Sequence, residues 1–149
     1  MTPMYRVLFL CTGNSARSQM AEALVNALLG DRWQAFSAGT RPSGYVHPLA
    51  LQVLREIGIS HHGHSKSIAE LPTDDFDLVI TVCDAAAEEC PLWLGAGKRV
   101  PHGYPDPASV DGSEEEQLQV FRQIRDRMLR ELPELLGGWL REKRGFEKR

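Results

Sequence analysis

The sequence predicts an α/β protein built on a parallel sheet that helices cover on both faces. Short apolar runs, typical of buried strands, alternate along the 149 residues with longer segments whose apolar residues recur at helical spacing. Because strands and helices alternate, we expect the strands to run parallel. The chain has the length of one ordinary domain, and its sequence contains no repeat or linker, so we expect a single domain over residues 1–149.

The first half of the chain contains two predicted strand–helix units. Tyr5–Leu10 is a short apolar run that ends at a Thr-Gly-Asn turn, which indicates a buried strand. Ser18–Leu29 follows with apolar residues at helical spacing and a glycine after its end. Trp33–Ser37 is the second predicted strand. His47–Ile57 is the second predicted helix, with a proline near its first turn.

The second half contains two further strands and the last helix. Asp77–Val82 is an apolar run that predicts a buried strand, and Lys98–Pro101 predicts a short fourth strand. Ser113 and Glu116 form a capping box that opens the last helix. Pro133 is expected to kink or end this helix. The apolar face of the helix consists of Leu118, Phe121, Ile124, Met128, Leu129 and Leu132.

Composition and charge exclude several classes of function. The sequence is 42% hydrophobic and 25% charged with a net charge of −3, which is typical of a soluble protein and does not suit nucleic-acid binding. No apolar run is long enough to span a bilayer, and Val7–Leu10 is too short for a signal peptide. We therefore expect a cytoplasmic protein, whose three cysteines serve chemistry rather than structural disulfides.

The segment between the first strand and the first helix predicts an oxyanion site. A residue there lies at the carboxyl end of a parallel strand, where open α/β sheets bind their ligands. Gly13 and Asn14 tolerate positive φ, so the loop can curl with its N–H groups pointing inward beside a helix N-terminus. The predicted oxyanion-binding residues are Thr12, Gly13, Asn14, Ser15, Ala16 and Arg17.

Cys11 opens this loop and is the predicted nucleophile. The positive field that binds an anion also favours the thiolate form of a cysteine. Arg17 adds a planar guanidinium that can hold two oxygens of the anion, and the Ser18 hydroxyl can donate to the thiolate. The alternative interpretation is an ordinary buried cysteine after a strand, but a Cys and an Arg enclosing a Gly-Asn loop at this point favour catalysis.

The run CTGNSARSQMAEA, residues 11–23, resembles the phosphate-binding loop of the low-molecular-weight protein tyrosine phosphatase family. It is especially similar to the arsenate reductases of that family that thioredoxin recycles. Ser37–Thr40, the pair Cys83 and Cys90, and Asp106-Pro107 extend the resemblance over nearly the whole chain. The resemblance implies a three-layer α/β fold whose four-stranded parallel sheet is flanked by helices.

Asp106 is the general acid that the resemblance implies. The family places an Asp-Pro here to protonate the leaving oxygen, and Asp106 lies between two prolines that fix the shape of its loop. Taken by itself, an Asp-Pro dipeptide is equally well an ordinary surface turn.

Cys83 and Cys90 distinguish the two chemistries of the family. A phosphatase hydrolyses the cysteinyl intermediate with water, whereas a reductase needs a second thiol to attack Cys11 and a third to carry the oxidation to the surface. The gap of six residues matches the reductases, and Asp84–Glu89 can form one or two helical turns that unwind. One alternative is that Cys83 and Cys90 are inert thiols. The other is a zinc site that they form with one of the histidines, but the spacing of the two cysteines does not suit zinc.

The resemblance therefore implies an arsenate reductase with thioredoxin as its partner, phosphate as a competing anion, and no cofactor. Ala108 and Ser109 follow Asp106-Pro107, where phosphatases of this family carry aromatic residues that stack on phosphotyrosine. The first alternative is a low-molecular-weight tyrosine phosphatase acting through a Cys11 phosphoenzyme. The second is an oxyanion sensor without catalysis, which has no use for a thiolate.

Some relatives bind potassium beside the loop through an Asn, a Glu, a Ser and an Asp. Asn14, Glu22 and Ser37 match the first three, but the fourth position falls near Ser67, where the neighbouring Lys66 can itself supply positive charge. We therefore expect no metal at this place. The histidine cluster of residues 61–64 is interpreted as a solvated loop.

Overall fold

The computed structural model describes residues 4–84, 90, 92, 93 and 95–147. Its centre is a four-stranded sheet in which all strands run parallel, in the order β2-β1-β3-β4. The predicted α/β fold and its parallel sheet are confirmed. The strands are β1 Tyr5–Cys11, β2 Trp33–Gly39, β3 Asp75–Thr81 and β4 Ala96–Pro101.

Three α-helices are described. The first two begin and end within two residues of their predicted limits, and the third begins directly after Ser113 of the predicted capping box. They are α1 Arg17–Leu28, α2 Pro48–Arg55 and α3 Glu114–Glu147, with short 3₁₀ helices at Ile68–Glu70 and Pro107–Ser109. None of the described helices is long and apolar enough to cross a membrane. The predicted helical segment Asp84–Glu89 falls, except for Asp84, outside the described residues.

The two faces of the sheet are covered by different elements. Successive side chains of a strand point to opposite faces. Val7 and Phe9 lie in the large core cluster that the three α-helices build. Leu8 and Leu10 point the other way, to a smaller cluster that contains Phe76, Val79 and Trp93 and is flanked by the 3₁₀ helix at Ile68.

Helix α3 does not end at Pro133 but continues through it to Glu147. An internal proline removes one backbone hydrogen bond and crowds the preceding turn. The second half of the helix is held by packing, since Leu136 is buried and Trp139 packs its ring against Tyr5 and Trp33 at 5.2 and 5.3 Å between centroids. This apolar contact outweighs the tendency of Pro133 to end the helix.

The carboxyl edge of the sheet brings the predicted site residues together. Strands β1 and β3 are neighbours, with Leu10 in register with Thr81, and the Val82 N–H donates to the Leu10 carbonyl at 2.9 Å. Cys11 and Cys83 therefore leave the sheet at the same edge. Helix α1 begins at Arg17, directly after the loop, so its N-terminus points to the same place.

Candidate active site

The loop from Cys11 to Arg17 is held from outside by its carbonyl groups. The carbonyls of Thr12, Gly13 and Ser15 accept hydrogen bonds from the N–H groups of residues 41, 43 and 47 at 2.9–3.0 Å. The Asn14 carbonyl accepts from Gln19 Nε2 at 3.1 Å. Because the carbonyls bind outward, the N–H face of the loop turns inward, which is the arrangement of an anion-binding nest.

Gly39 of the motif Ser37–Thr40 allows the loop to lie this close to β2. A Cβ built on Gly39 would clash with the Thr12 carbonyl oxygen and would lie only 3.0 Å from both the Asn14 nitrogen and the Cys11 carbonyl oxygen. Any side chain at this position would therefore displace the loop.

Cys11 lies buried at the base of the loop as a free thiol, 2% exposed. Its Sγ is 2.9 Å from the Ser18 hydroxyl and accepts the Asn14 N–H at 3.2 Å. The Asn14 side-chain amide donates to Ser18 Oγ at 2.8 Å, which leaves the Ser18 proton for the sulfur. Two donors therefore point at Sγ, and they stabilise negative charge there.

Asn14 adopts φ +47°, a left-handed conformation uncommon for residues other than glycine. Its buried side chain is fixed by Gln19 Nε2 and by the Lys66 N–H, which donate to Oδ1 at 3.0 and 2.9 Å. Gln19 Nε2 also donates to the His64 carbonyl at 2.9 Å. The turn of the loop is thus held by a buried polar network.

Arg17 connects the oxyanion loop to the segment that carries Asp106. The buried guanidinium donates through Nη1 to the Tyr104 carbonyl at 3.0 Å. Asp106, half-buried, caps the 3₁₀ helix at Pro107 by accepting the Ala108 N–H at 3.0 Å. His47 faces this carboxylate: burial lowers the pKa of His47, and the charge of Asp106 acts in the opposite direction.

Cys83 and Cys90 are joined by a disulfide, with their Cα atoms 5.9 Å apart. Cys83 is buried at the sheet edge in the core cluster that contains Cys11, and Cys90 is half-buried and packs against that cluster. Cys11 is therefore the free thiol of the three cysteines. Among the described residues no group of three or more His, Cys, Asp or Glu side chains is placed to hold a metal ion.

The interpretation of residues 61–64 as a solvated loop is wrong for His61. Its Nε2 lies 2.7 Å from Gln19 Oε1, and its side chain is 9% exposed. Burial lowers the pKa of His61, with Lys66 adding to the effect. Because an amide oxygen can only accept, Nε2 is the donor in this hydrogen bond. The local sequence suggested an exposed histidine because nothing in it indicates the partner Gln19, which lies 42 residues earlier.

Sequence reasoning did not single out Gln19 or Tyr45, and of Lys66 it anticipated only a positive charge. Gln19 and Lys66 hold Asn14, whereas Tyr45 is 56% exposed on the segment whose N–H groups at residues 43 and 47 hold the loop. Gln19 and Glu22 are polar residues one helical turn apart on a largely buried helix, which is the signal that could have revealed the network.

The family model of the low molecular weight phosphotyrosine protein phosphatases matches residues 6–145. The chain belongs to this family. The match includes the oxyanion loop, both cysteines of the disulfide and Asp106, so the resemblance inferred from the sequence is confirmed. Membership of this family does not by itself distinguish hydrolysis from reduction.

Two relatives with similar sequences are arsenate reductases. That of Halalkalibacterium halodurans is 44% identical over 121 residues, covering 80% of this chain and 86% of the relative. That of Bacillus subtilis is 40% identical over 129 residues, covering 86% and 92%.

Solved structures of both activities share the fold. An arsenate reductase in a phosphate-binding state is 29% identical with a TM-score of 0.71, over 91% of this chain and 98% of the other. The thioredoxin-dependent arsenate reductase of Corynebacterium glutamicum is 27% identical with a TM-score of 0.65, over 94% and 64%. The low-molecular-weight tyrosine phosphatase of T. tengcongensis is 26% identical with a TM-score of 0.71, over 90% and 99%.

Proposed function

We propose that the chain is an arsenate reductase that works through Cys11, Cys83 and Cys90 in turn and is recycled by thioredoxin. The observation that carries the proposal is the pairing of the three cysteines. Cys83 and Cys90 form a disulfide while Cys11, at the base of the oxyanion loop, remains a thiol. This is the state in which such a relay ends, and a phosphatase has no need of it.

In the first step the Cys11 thiolate attacks the arsenic of arsenate. The loop N–H groups and Arg17 hold the oxyanion, and the Ser18 hydroxyl and the Asn14 N–H stabilise the thiolate. A sulfur–arsenic bond forms and an arsenic–oxygen bond breaks. Asp106 gives a proton to the departing oxygen, which leaves as water.

In the second step the Cys83 thiolate attacks the Cys11 sulfur. A disulfide forms, the sulfur–arsenic bond breaks, and its electron pair stays on arsenic, which is reduced from As(V) to As(III) and leaves as arsenite. The position of both residues at one sheet edge supports this attack.

In the third step the Cys90 thiolate attacks the Cys83 sulfur, and Cys11 leaves as a thiolate. Cys83 and Cys90 have then supplied the two electrons that arsenic received. Cys90 is more exposed than the buried Cys11 and Cys83, which supports its role as the thiol that presents the disulfide to a reductant. The dithiol of thioredoxin would reduce it in the cytoplasm, as the name of the Corynebacterium glutamicum relative states for that protein.

A Cys83→Ser variant separates the first step from the second. We expect it to lose arsenate-dependent NADPH oxidation in the presence of thioredoxin and thioredoxin reductase, because no thiol can attack Cys11. We expect it to keep slow hydrolysis of p-nitrophenyl phosphate, which needs Cys11 alone among the cysteines. Cys11→Ser is the control and should lose both activities. Normal reduction of arsenate by Cys83→Ser would contradict the relay.

Hydrolysis of aryl phosphates is the second candidate activity. The loop geometry supports it, and the exposed Tyr45 provides one aromatic ring on the segment that borders the loop. Ala108 and Ser109, by contrast, provide none. We therefore propose hydrolysis as a slow side activity. Efficient turnover of phosphotyrosine peptides that does not depend on Cys90 would make it the main one.

A further inference from the structure

The polar network behind Asn14 contains a buried positive charge. Lys66 is 8% exposed, and its ammonium group donates to the His64 carbonyl at 3.1 Å. The same Nζ lies 3.9 Å from Oε1 of Glu22, whose side chain is 12% exposed. A lysine is rarely this buried unless a carboxylate compensates its charge.

Glu22 lies among polar side chains. The Ser37 hydroxyl donates to Oε1 at 3.1 Å, and His61 Nε2 lies 3.7 Å from Oε2. Burial raises the pKa of Glu22, and the charge of Lys66 is the largest effect in the opposite direction. Glu22 and Lys66 thus form a largely buried ion pair, with His61 beside them.

These residues do not fit the potassium ion that relatives bind beside this loop. Asn14 Oδ1, one expected ligand, already accepts hydrogen bonds from Gln19 and from the Lys66 N–H. Ser37 and Glu22, the next two expected ligands, are hydrogen-bonded to each other. A second cation beside the single Glu22 carboxylate would be repelled by the Lys66 ammonium in a site with little water.

We propose that Lys66 is a built-in cation that takes the place of potassium and holds the oxyanion loop. Its ammonium binds Glu22 and the His64 carbonyl, while its backbone N–H binds the side chain of Asn14. Asn14 in turn donates to the Cys11 sulfur and to Ser18. Lys66 is thus a positioning residue, two hydrogen bonds away from the reacting sulfur.

The test compares potassium with choline chloride at equal ionic strength. The protein is kept with its Cys83–Cys90 disulfide, so that Cys11 is the single thiol among its three cysteines. One readout is the melting temperature. The other is the phosphate concentration that half-protects Cys11 from iodoacetamide, which reports the order of the loop and needs no reduction of arsenate.

We expect the wild-type protein to give the same values in both salts. Lys66→Ala leaves a space beside Glu22 and Ser37. In choline it should melt at a lower temperature and need about tenfold more phosphate, as is typical when a supporting residue of a binding site is removed. Potassium should recover part of both losses.

Lys98→Ala is the matched control, because Lys98 is an exposed lysine that also pairs with a glutamate, Glu142, at 3.1 Å. It should respond equally to both salts. Two results would overturn the proposal: a wild-type protein that potassium stabilises more than choline does, or a Lys66→Ala protein that responds to potassium no more than the wild type. The wild-type comparison decides the matter even if Lys66→Ala does not fold.

Discussion

At the scale of the residue, Asn14 links the support of the loop to its chemistry. Its N–H donates to the Cys11 sulfur, its side chain binds Ser18, Gln19 and Lys66, and its φ of +47° turns the loop. Asparagine suits this position because it tolerates the left-handed conformation and its amide can donate and accept at once.

Replacing Asn14 by alanine should therefore harm both stability and anion binding. The buried Lys66 N–H and Gln19 amide would lose an acceptor, so we expect the free energy of unfolding to fall by about 2–4 kcal/mol. Phosphate should protect Cys11 from iodoacetamide only at higher concentration. Urea unfolding and the alkylation rate measure the two effects.

Asn26→Ala is the matched control for this variant. The Asn26 side chain also joins α1 to neighbouring backbone, accepting the Ala35 N–H at 2.8 Å and donating to the Ala35 carbonyl at 3.1 Å. It lies away from the loop, so its loss should lower stability and leave protection by phosphate unchanged. Equal protection in Asn14→Ala and Asn26→Ala would show that Asn14 does not organise the anion site.

The residues of the loop were predictable and those behind it were not, for a physical reason. Cys11 and Arg17 enclose a short loop between a strand and a helix, and this pattern is complete within the local sequence. Lys66 reaches the loop from 52 positions beyond Asn14, and only the folded chain brings the two together. Side-chain networks of this kind depend on packing that no local pattern encodes.

At the scale of the element, helix α2 is fastened to α3 by a charged cluster. Arg122 binds Glu56 through Nη2 at 2.7 Å, and Arg125 Nη1 binds the same carboxylate at 2.8 Å. The hydrogen bond from Arg122, together with that from Arg125, lowers the pKa of Glu56 to about 2.

This shift gives the stability a defined pH dependence. A carboxyl group whose pKa is lower in the folded state stabilises the fold above its usual pKa, and the contribution is lost as the pH falls. The difference in free energy of unfolding between wild type and Glu56→Gln should be largest above pH 5 and shrink steadily towards pH 2. Urea unfolding at pH 7, 5, 4 and 3 measures it.

Glu115→Gln provides the comparison, since Glu115 lies 3.7 Å from the same Arg122 but its side chain is 71% exposed. We expect a smaller effect with little dependence on pH, because exposed pairs are screened by solvent. A constant difference from pH 7 to pH 3 for Glu56→Gln would mean that the cluster is not the source of the pH dependence.

Apolar periodicity predicted the order of the strands and helices, but it did not predict where some of them end. Strand β2 continues past Ser37 to Gly39 because its last residues pair with β1, a contact outside any local window. Helix α3 continues through Pro133 because Trp139 packs on aromatic residues of β1 and β2. In both cases tertiary contact outweighs local propensity.

At the scale of the whole molecule, the parallel sheet explains how distant residues meet. Every strand of a parallel sheet ends at the same edge, so Cys11 at the end of β1 and Cys83 after β3 both lie at that edge. The segment after β4 returns over this edge, where Arg17 binds the Tyr104 carbonyl two residues before Asp106. The fold thus gathers the predicted nucleophile, thiols and acid without needing a second domain.

The central claim is that the three cysteines pass one oxidation from arsenic to the Cys83–Cys90 pair. The most direct test is mass spectrometry of the disulfides after one arsenate turnover by the fully reduced protein, quenched by alkylation. We predict one Cys83–Cys90 disulfide and one arsenite per molecule, with Cys11 recovered as an alkylated thiol. Three alkylated cysteines after exposure to arsenate, or a disulfide that still contains Cys11 at the end of the turnover, would contradict the relay.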